Sequence, residues 1–115
     1  TIMSANDLDL CWRLQLAGHP LHVESAAVVA KRGRLVCRAI WRQHFTYGLD
    51  DPKLYRRFRA HGMPRKLGRA ARRYAWLVAH LHHLRNPSTR PSWIRVAAGQ
   101  AGRLVGTVRE RALYL

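Results

Sequence analysis

Apolar residues recur every three or four positions through most of the chain, and one short stretch alternates instead. Leu67, Ala70, Tyr74, Leu77, Leu81 and Leu84 give the cleanest helical period, predicting a helix over 65–85 with Arg69, Arg72 and Arg73 on its other faces. A first helix is predicted through Leu10, Trp12, Leu14 and Leu16, with Ser4 or Asn6 as its cap and Gly18 before His19-Pro20 as its end. Leu21-His22-Val23-Glu24 then alternates as a short strand, and 26–30 continues as a second extended segment before the basic turn Lys31-Arg32-Gly33-Arg34.

Helical spacing resumes over 35–47, where Val36, Ile40 and Tyr47 oppose Arg38, Arg42 and Gln43. Gly48 is expected to end this helix. Asp50-Asp51-Pro52 then carries the acids and proline of a helix start, opening a third helix over 53–61. Its Leu54, Tyr55 and Phe58 are expected inward, and Arg56, Arg57 and Arg59 outward. Gly62-Met63-Pro64 stops it. After the loop 86–91, Ser92 is expected to cap a last helix with Ile94, Ala97, Ala101, Leu104 and Val108 as its apolar stripe. Ala98, Gly102 and Gly106, four apart, give that helix a flat face for close packing. The spacing resembles a membrane dimer motif, but Arg95, Arg103 and Arg109 exclude a spanning helix. The pattern as a whole predicts an α/β start with short strands, followed by a mainly α-helical tail.

With 115 residues and 48% hydrophobic composition, the chain suits one domain with a modest core. A formal charge of +15 calls for an anionic partner: nucleic acid, phospholipid head groups or a phosphorylated substrate. No apolar run approaches the about 18 residues of a spanning helix, and no signal-peptide pattern is present. Cys11 and Cys37 occupy apolar helical positions, predicting buried free thiols in a reducing compartment. His80 and His83 share a helix face without a third ligand nearby in sequence, predicting interfacial or solvent-exposed histidines and no metal site.

Only six Asp and Glu accompany twenty-one Lys and Arg, and two of the six, Asp7 and Asp9, open the first helix. Acids in a first turn ordinarily satisfy free N–H groups and suit the helix dipole. Spacing separates the two. Asp9 stands four residues before Arg13, the favourable order for a helical ion pair. Asp7 faces Cys11 and has no local cation. It is the candidate general base, able to accept a proton from a bound hydroxyl.

The segment Asn6-Asp7-Leu8-Asp9-Leu10-Cys11-Trp12-Arg13-Leu14, with Ala17-Gly18 and Ala27-Val28-Val29, resembles the C-terminal half of a family 2 glycosyltransferase of the GT-A type. Trp41-Arg42-Gln43-His44-Phe45, Leu54-Tyr55-Arg56-Arg57 and the closing run 102–109 resemble the helices that follow the catalytic domain in bacterial members. The resemblance implies an inverting transferase in which Asp7 deprotonates the acceptor hydroxyl that attacks a nucleotide-sugar. It implies that Lys31 and Arg32 contact the donor diphosphate and that Trp41, Arg42 and Gln43 contact the acceptor. It also implies a divalent cation, Mg or Mn, held by a nucleotide-binding half preceding residue 1. Residues 1–48 would then close the catalytic domain and 49–115 form a basic amphipathic tail. Residues 1–115 alone are expected to be inactive, and the abrupt start of the chain suits a fragment.

A lipid-linked or cell-envelope glycan acceptor, and a cytoplasmic location peripheral to the inner membrane face, follow from the same resemblance. Arginine-rich amphipathic helices suit an anionic membrane surface. Nucleic acid is disfavoured because no zinc-finger, RNP-type or helix-turn-helix signature is present. The rival expectation is a small basic helical module that binds nucleic acid or anionic membrane without catalysis.

Overall fold

A computed structural model describes residues 4–115. It contains four α-helices: α1 (Asn6–Leu16), α2 (Cys37–Phe58), α3 (Leu67–Ala79) and α4 (Arg90–Glu110), with short 3₁₀ turns after α2 and α3. No strand occurs among the described residues, so the expected α/β start is corrected to an all-helical one. Residues 18–36 are irregular, and Val23, Val28 and Val29 are each more than 85% exposed. Alternation makes a strand only where a neighbouring strand satisfies its N–H and C=O groups. The described chain offers none. Glu24 instead turns the backbone locally, accepting from Ala26 N at 3.0 Å through its carboxylate and from Ala27 N at 3.2 Å through its carbonyl.

Helix α1 begins after Ala5, with no side-chain cap, so neither Ser4 nor Asn6 takes the expected role. Its end follows the sequence: Gly18 has φ +91°, and His19 N donates to Leu14 O at 3.0 Å, the reversed turn that only glycine adopts freely. The helix docks on α2 through Trp12, which stacks on Phe58 with ring centroids 5.4 Å apart. Phe58 is buried with Leu54 and Ala5, and Trp12 and Met63 pack against them. Cys11 and Cys37 are free but half-buried, not buried as expected.

The main departure is in α2, which runs unbroken through Gly48, Asp50-Asp51 and Pro52. The expected division after residue 48 therefore falls within a helix. Its cause is the packing against α4. A Cβ on Gly48 would lie 2.2 Å from the Gly99 carbonyl, and one on Gly102 would lie 2.1 Å from the Phe45 carbonyl. A Cβ on Gly106 would meet Leu49 O at 2.8 Å and the Pro52 ring at 3.0 Å. Backbone thus meets backbone, and the flat face Ala98-Gly102-Gly106 predicted from spacing is the contact surface. Ala98, Gly102 and Gly106 are buried, whereas Leu104 and Val108 of the expected apolar stripe are exposed.

Proline inside a helix removes one hydrogen bond and ordinarily costs about 3 kcal/mol. Pro52 is fully buried, with its ring packed close to Gly106 of α4. Residues 45, 48 and 52 of α2 meet 102, 102 and 106 of α4, with Arg56 and Glu110 paired at 3.2 Å beyond them. Both numberings rise together, so the two helices are parallel. Leu54, Tyr55 and Phe58 are buried and Arg56, Arg57 and Arg59 exposed, as the period predicts.

Helix α3 ends at Ala79, short of the expected 85. The chain closes over the bundle: Ala112 is buried, Tyr114 N donates to Thr107 Oγ1 at 3.2 Å, and Tyr114 stacks on Tyr55 at 5.1 Å. No helix of the described residues is long and apolar enough to cross a membrane.

Candidate functional site

A cavity of about 510 Å³ opens where the mouth of α1 faces α2 and α4. Asp7 and Leu8 line one side, and His44, Tyr47 and Asp51 of α2 line another. Lys31, Arg73, Arg95 and Arg103 supply four cations from the connecting segment, α3 and α4.

Each side chain has a traceable position. Asp7 is exposed, and its carboxylate accepts only from its neighbour Leu8 N at 2.9 Å among the described residues. Asp9, two residues on and on the opposite face of the same helix, is buried between Arg13 (2.9 Å) and Arg57. The ion pair expected from spacing is present, and the structure adds a second guanidinium from α2. Ser4, freed from capping, donates through both N (2.6 Å) and Oγ (2.7 Å) to Asp50, which also accepts from Lys53 at 2.9 Å. These bonds tie the residues leading into α1 to the middle of α2.

The electrostatics differ between neighbouring acids. Burial would raise the Asp50 carboxyl, but the Ser4 and Lys53 hydrogen bonds outweigh it and hold the group below 3.8. For Asp51 burial wins, and the carboxyl stands above 3.8 even with Arg103 Nε at 2.6 Å. His44 is lowered by burial and then by Arg95 and Lys31, so its imidazole is biased to the neutral form beside the cations. Lys31, Arg73, Arg95 and Arg103 face Asp7 and Asp51, leaving a surplus of positive charge. Such a wall has the charge to suit an anionic group, and the open carboxylate of Asp7 lies on the same cavity.

Of the expected site residues, Asp7 and Lys31 meet on this cavity. Arg42 and Gln43 line a second cavity of about 640 Å³ that shares Ser4 and Tyr47 with the first. Gln43 donates to the Tyr47 hydroxyl at 2.7 Å there. Trp41 lies on neither wall; it stacks on Phe45 with centroids 6.5 Å apart and is 43% exposed. Arg32 is exposed and lines neither cavity. Arg73, Arg95 and Arg103 are not placed at this site by the sequence, from which the arginine-rich helices are assigned to an anionic membrane surface. Arg95, Gly99 and Arg103 stand four apart, one position beyond Ala98 and Gly102, so the packing face already fixed their side of α4.

Among the described residues no group of three His, Cys, Asp or Glu is placed to hold a metal. The cavity does not suit a divalent cation, because its carboxylates are outnumbered by cationic side chains. His80, His82 and His83 form a ring cluster beside Trp76, with His80 and His83 half-buried and His82 exposed. Comparison with protein-family models, curated proteins and solved structures gives no match.

Proposed function

We propose that this chain supplies the base and acceptor-side elements of an inverting glycosyltransferase that uses a nucleotide-sugar donor. The observation that carries the reading is the meeting of Asp7 and Lys31 on one cavity wall with Arg73, Arg95 and Arg103. Transfer with inversion needs a carboxylate to take the acceptor proton, and positive charge to stabilise the departing diphosphate. Both are present within one cavity. Asp7 carries no ion pair among the described residues, so its lone pairs are available to a hydroxyl. The neighbouring cavity with Arg42 and Gln43 is open to a polyhydroxylated acceptor such as a lipid-linked or cell-envelope glycan. The basic surface suits work at the anionic cytoplasmic face of a membrane.

The deciding measurement is sugar transfer by an enzyme in which this chain accompanies a nucleotide-binding half. There Asp7→Asn lowers kcat by about two to four orders of magnitude, the usual worth of a general base. Donor KM changes little, and Asp9→Asn acts mainly on the melting temperature. Unchanged turnover in the Asp7 variant overturns the assignment. Residues 1–115 alone give no transfer.

A further inference from the structure

On the far side of Arg73 and Arg103 lies a smaller cavity of about 210 Å³, walled by Asp51, Lys66, Arg69, Arg73, Arg103 and Tyr114 and reaching Leu115. It shares two arginines and Asp51 with the first cavity but contains neither Asp7 nor Lys31. We propose that this cavity is a binding site for a tetrahedral oxyanion, either inorganic phosphate or a phosphate monoester. The proposal does not depend on the catalytic reading.

Charge is the first argument. Four cations face one side-chain carboxylate, and counting a main-chain carboxylate at Leu115 as well still leaves a positive surplus. Hydrogen bonding is the second. Arg103 donates through Nη1 to Gln100 Oε1 at 2.5 Å, and Arg73 Nη1 approaches the same oxygen at 3.5 Å. Two guanidinium groups therefore converge on a single neutral acceptor. Gln100 is 2% exposed, and its Nε2 has no hydrogen-bond partner among the described residues. Turning the amide over would aim its N–H groups at two cations, so the arrangement is fixed by the arginines. Arg103 commits Nε to Asp51, at 2.6 Å, and Nη1 to Gln100, leaving N–H donors on Nη2. Arg73 has spare donors as well, and Lys66 and Arg69 pair with no acid among the described residues. A multidentate anion is the chemistry that satisfies such a fork of donors.

Burial is the third. Arg103 is only 18% exposed, so water screens the crowded cations poorly and an anion gains more there than on an open face. Tyr114, held by Thr107 and by stacking on Tyr55, closes one side. The volume lies below the roughly 300 Å³ where pockets for larger organic ligands begin. The cavity holds one phosphoryl group, and the rest of a phosphate monoester would lie outside it.

The test is a titration of the 115-residue chain with inorganic phosphate at low salt, followed by NMR of the Arg103 Nε–H and Tyr114 signals. Saturable shifts are expected. Lys66→Gln with Arg69→Gln, both exposed and outside the Asp7 cavity, weakens binding by about tenfold or more, as loss of charge-assisted hydrogen bonds should. Arg72→Gln with Arg109→Gln removes the same charge elsewhere and leaves binding within about twofold. Equal weakening in both pairs, or no saturable binding by the wild type, overturns the site. A second arm uses vesicles containing phosphatidic acid. Sedimentation lost in the Lys66/Arg69 pair but kept in the control assigns a lipid phosphate; phosphate binding without sedimentation assigns a soluble one.

Discussion

The α2–α4 pair and the segment 18–36 are opposite solutions to burying a chain. In the first, side chains are almost absent from the contact: Gly48, Gly102 and Gly106 let two backbones touch, with buried Asp50 and Gln100 nearby. In the second, large apolar side chains are abundant and nearly all exposed. Apolar content alone does not decide what is buried. Small residues at a four-residue spacing on a regular helix create a surface that another helix can match, whereas valines on an irregular segment have no complementary face.

The largest expected effect lies in the glycine contact. Gly102→Val forces branched carbons into the Phe45 carbonyl and should destabilise the fold by about 4 kcal/mol or more, read by urea denaturation. Gly99→Ala is the internal control. Its Cβ would find only ordinary contacts at 3.8 Å and beyond, so helix propensity should make it neutral or stabilising by up to about 1 kcal/mol. A mild Gly102→Val would show that the pair is not held backbone to backbone.

Next comes Asp50, buried and hydrogen-bonded to Ser4 and Lys53. Asp50→Ala is expected to cost about 3 kcal/mol. Because its carboxyl is held below 3.8, its contribution is complete above that pH and is lost as pH falls through the lower folded value. Asp51 acts with the opposite sign: its raised carboxyl disfavours the charged form, and that penalty is relieved as pH falls toward 3.8. Denaturation of wild type and Asp50→Asn at pH 6 and pH 3 separates them. A wild type and variant with the same pH dependence would remove the role of Asp50.

The smallest effect is expected in 18–36. Val28→Ser with Val29→Ser should change stability by no more than about 0.5 kcal/mol, since neither side chain leaves a packed site. A loss of several kcal/mol would erase the contrast between the two regions.

Features written in local chemistry were legible in the sequence. Gly18 ends α1, Asp9 pairs with Arg13, the 54–58 face turns inward, and 98–102–106 forms a packing surface. What was not legible depends on partners distant in sequence. Gly48 and Pro52 carry the signals of a helix boundary, and those signals describe an isolated helix. Against Gly99, Gly102 and Gly106 the same residues become the best contacts available, and the helix continues. The strand expectation failed for the converse reason, since alternation without a partner strand organises nothing. At the site, Asp7 could be singled out by its missing ion-pair partner and Lys31 only through the family resemblance. Arg73, Arg95 and Arg103 belong to it only once α3 and α4 are docked.

Parallel pairing of α2 and α4 has a kinetic consequence. The chain leaving Phe58 must return along the whole pair before α4 can start, about 33 Å for a 22-residue helix. No contact in the glycine seam can form until that crossover, residues 59–89, has closed. Every seam contact thus joins residues more than fifty positions apart, which should make this protein a slow folder for a helical one. Lengthening the crossover adds little further closure entropy, because that term grows only with the logarithm of loop length. Shortening it below the span of the pair should abolish folding outright.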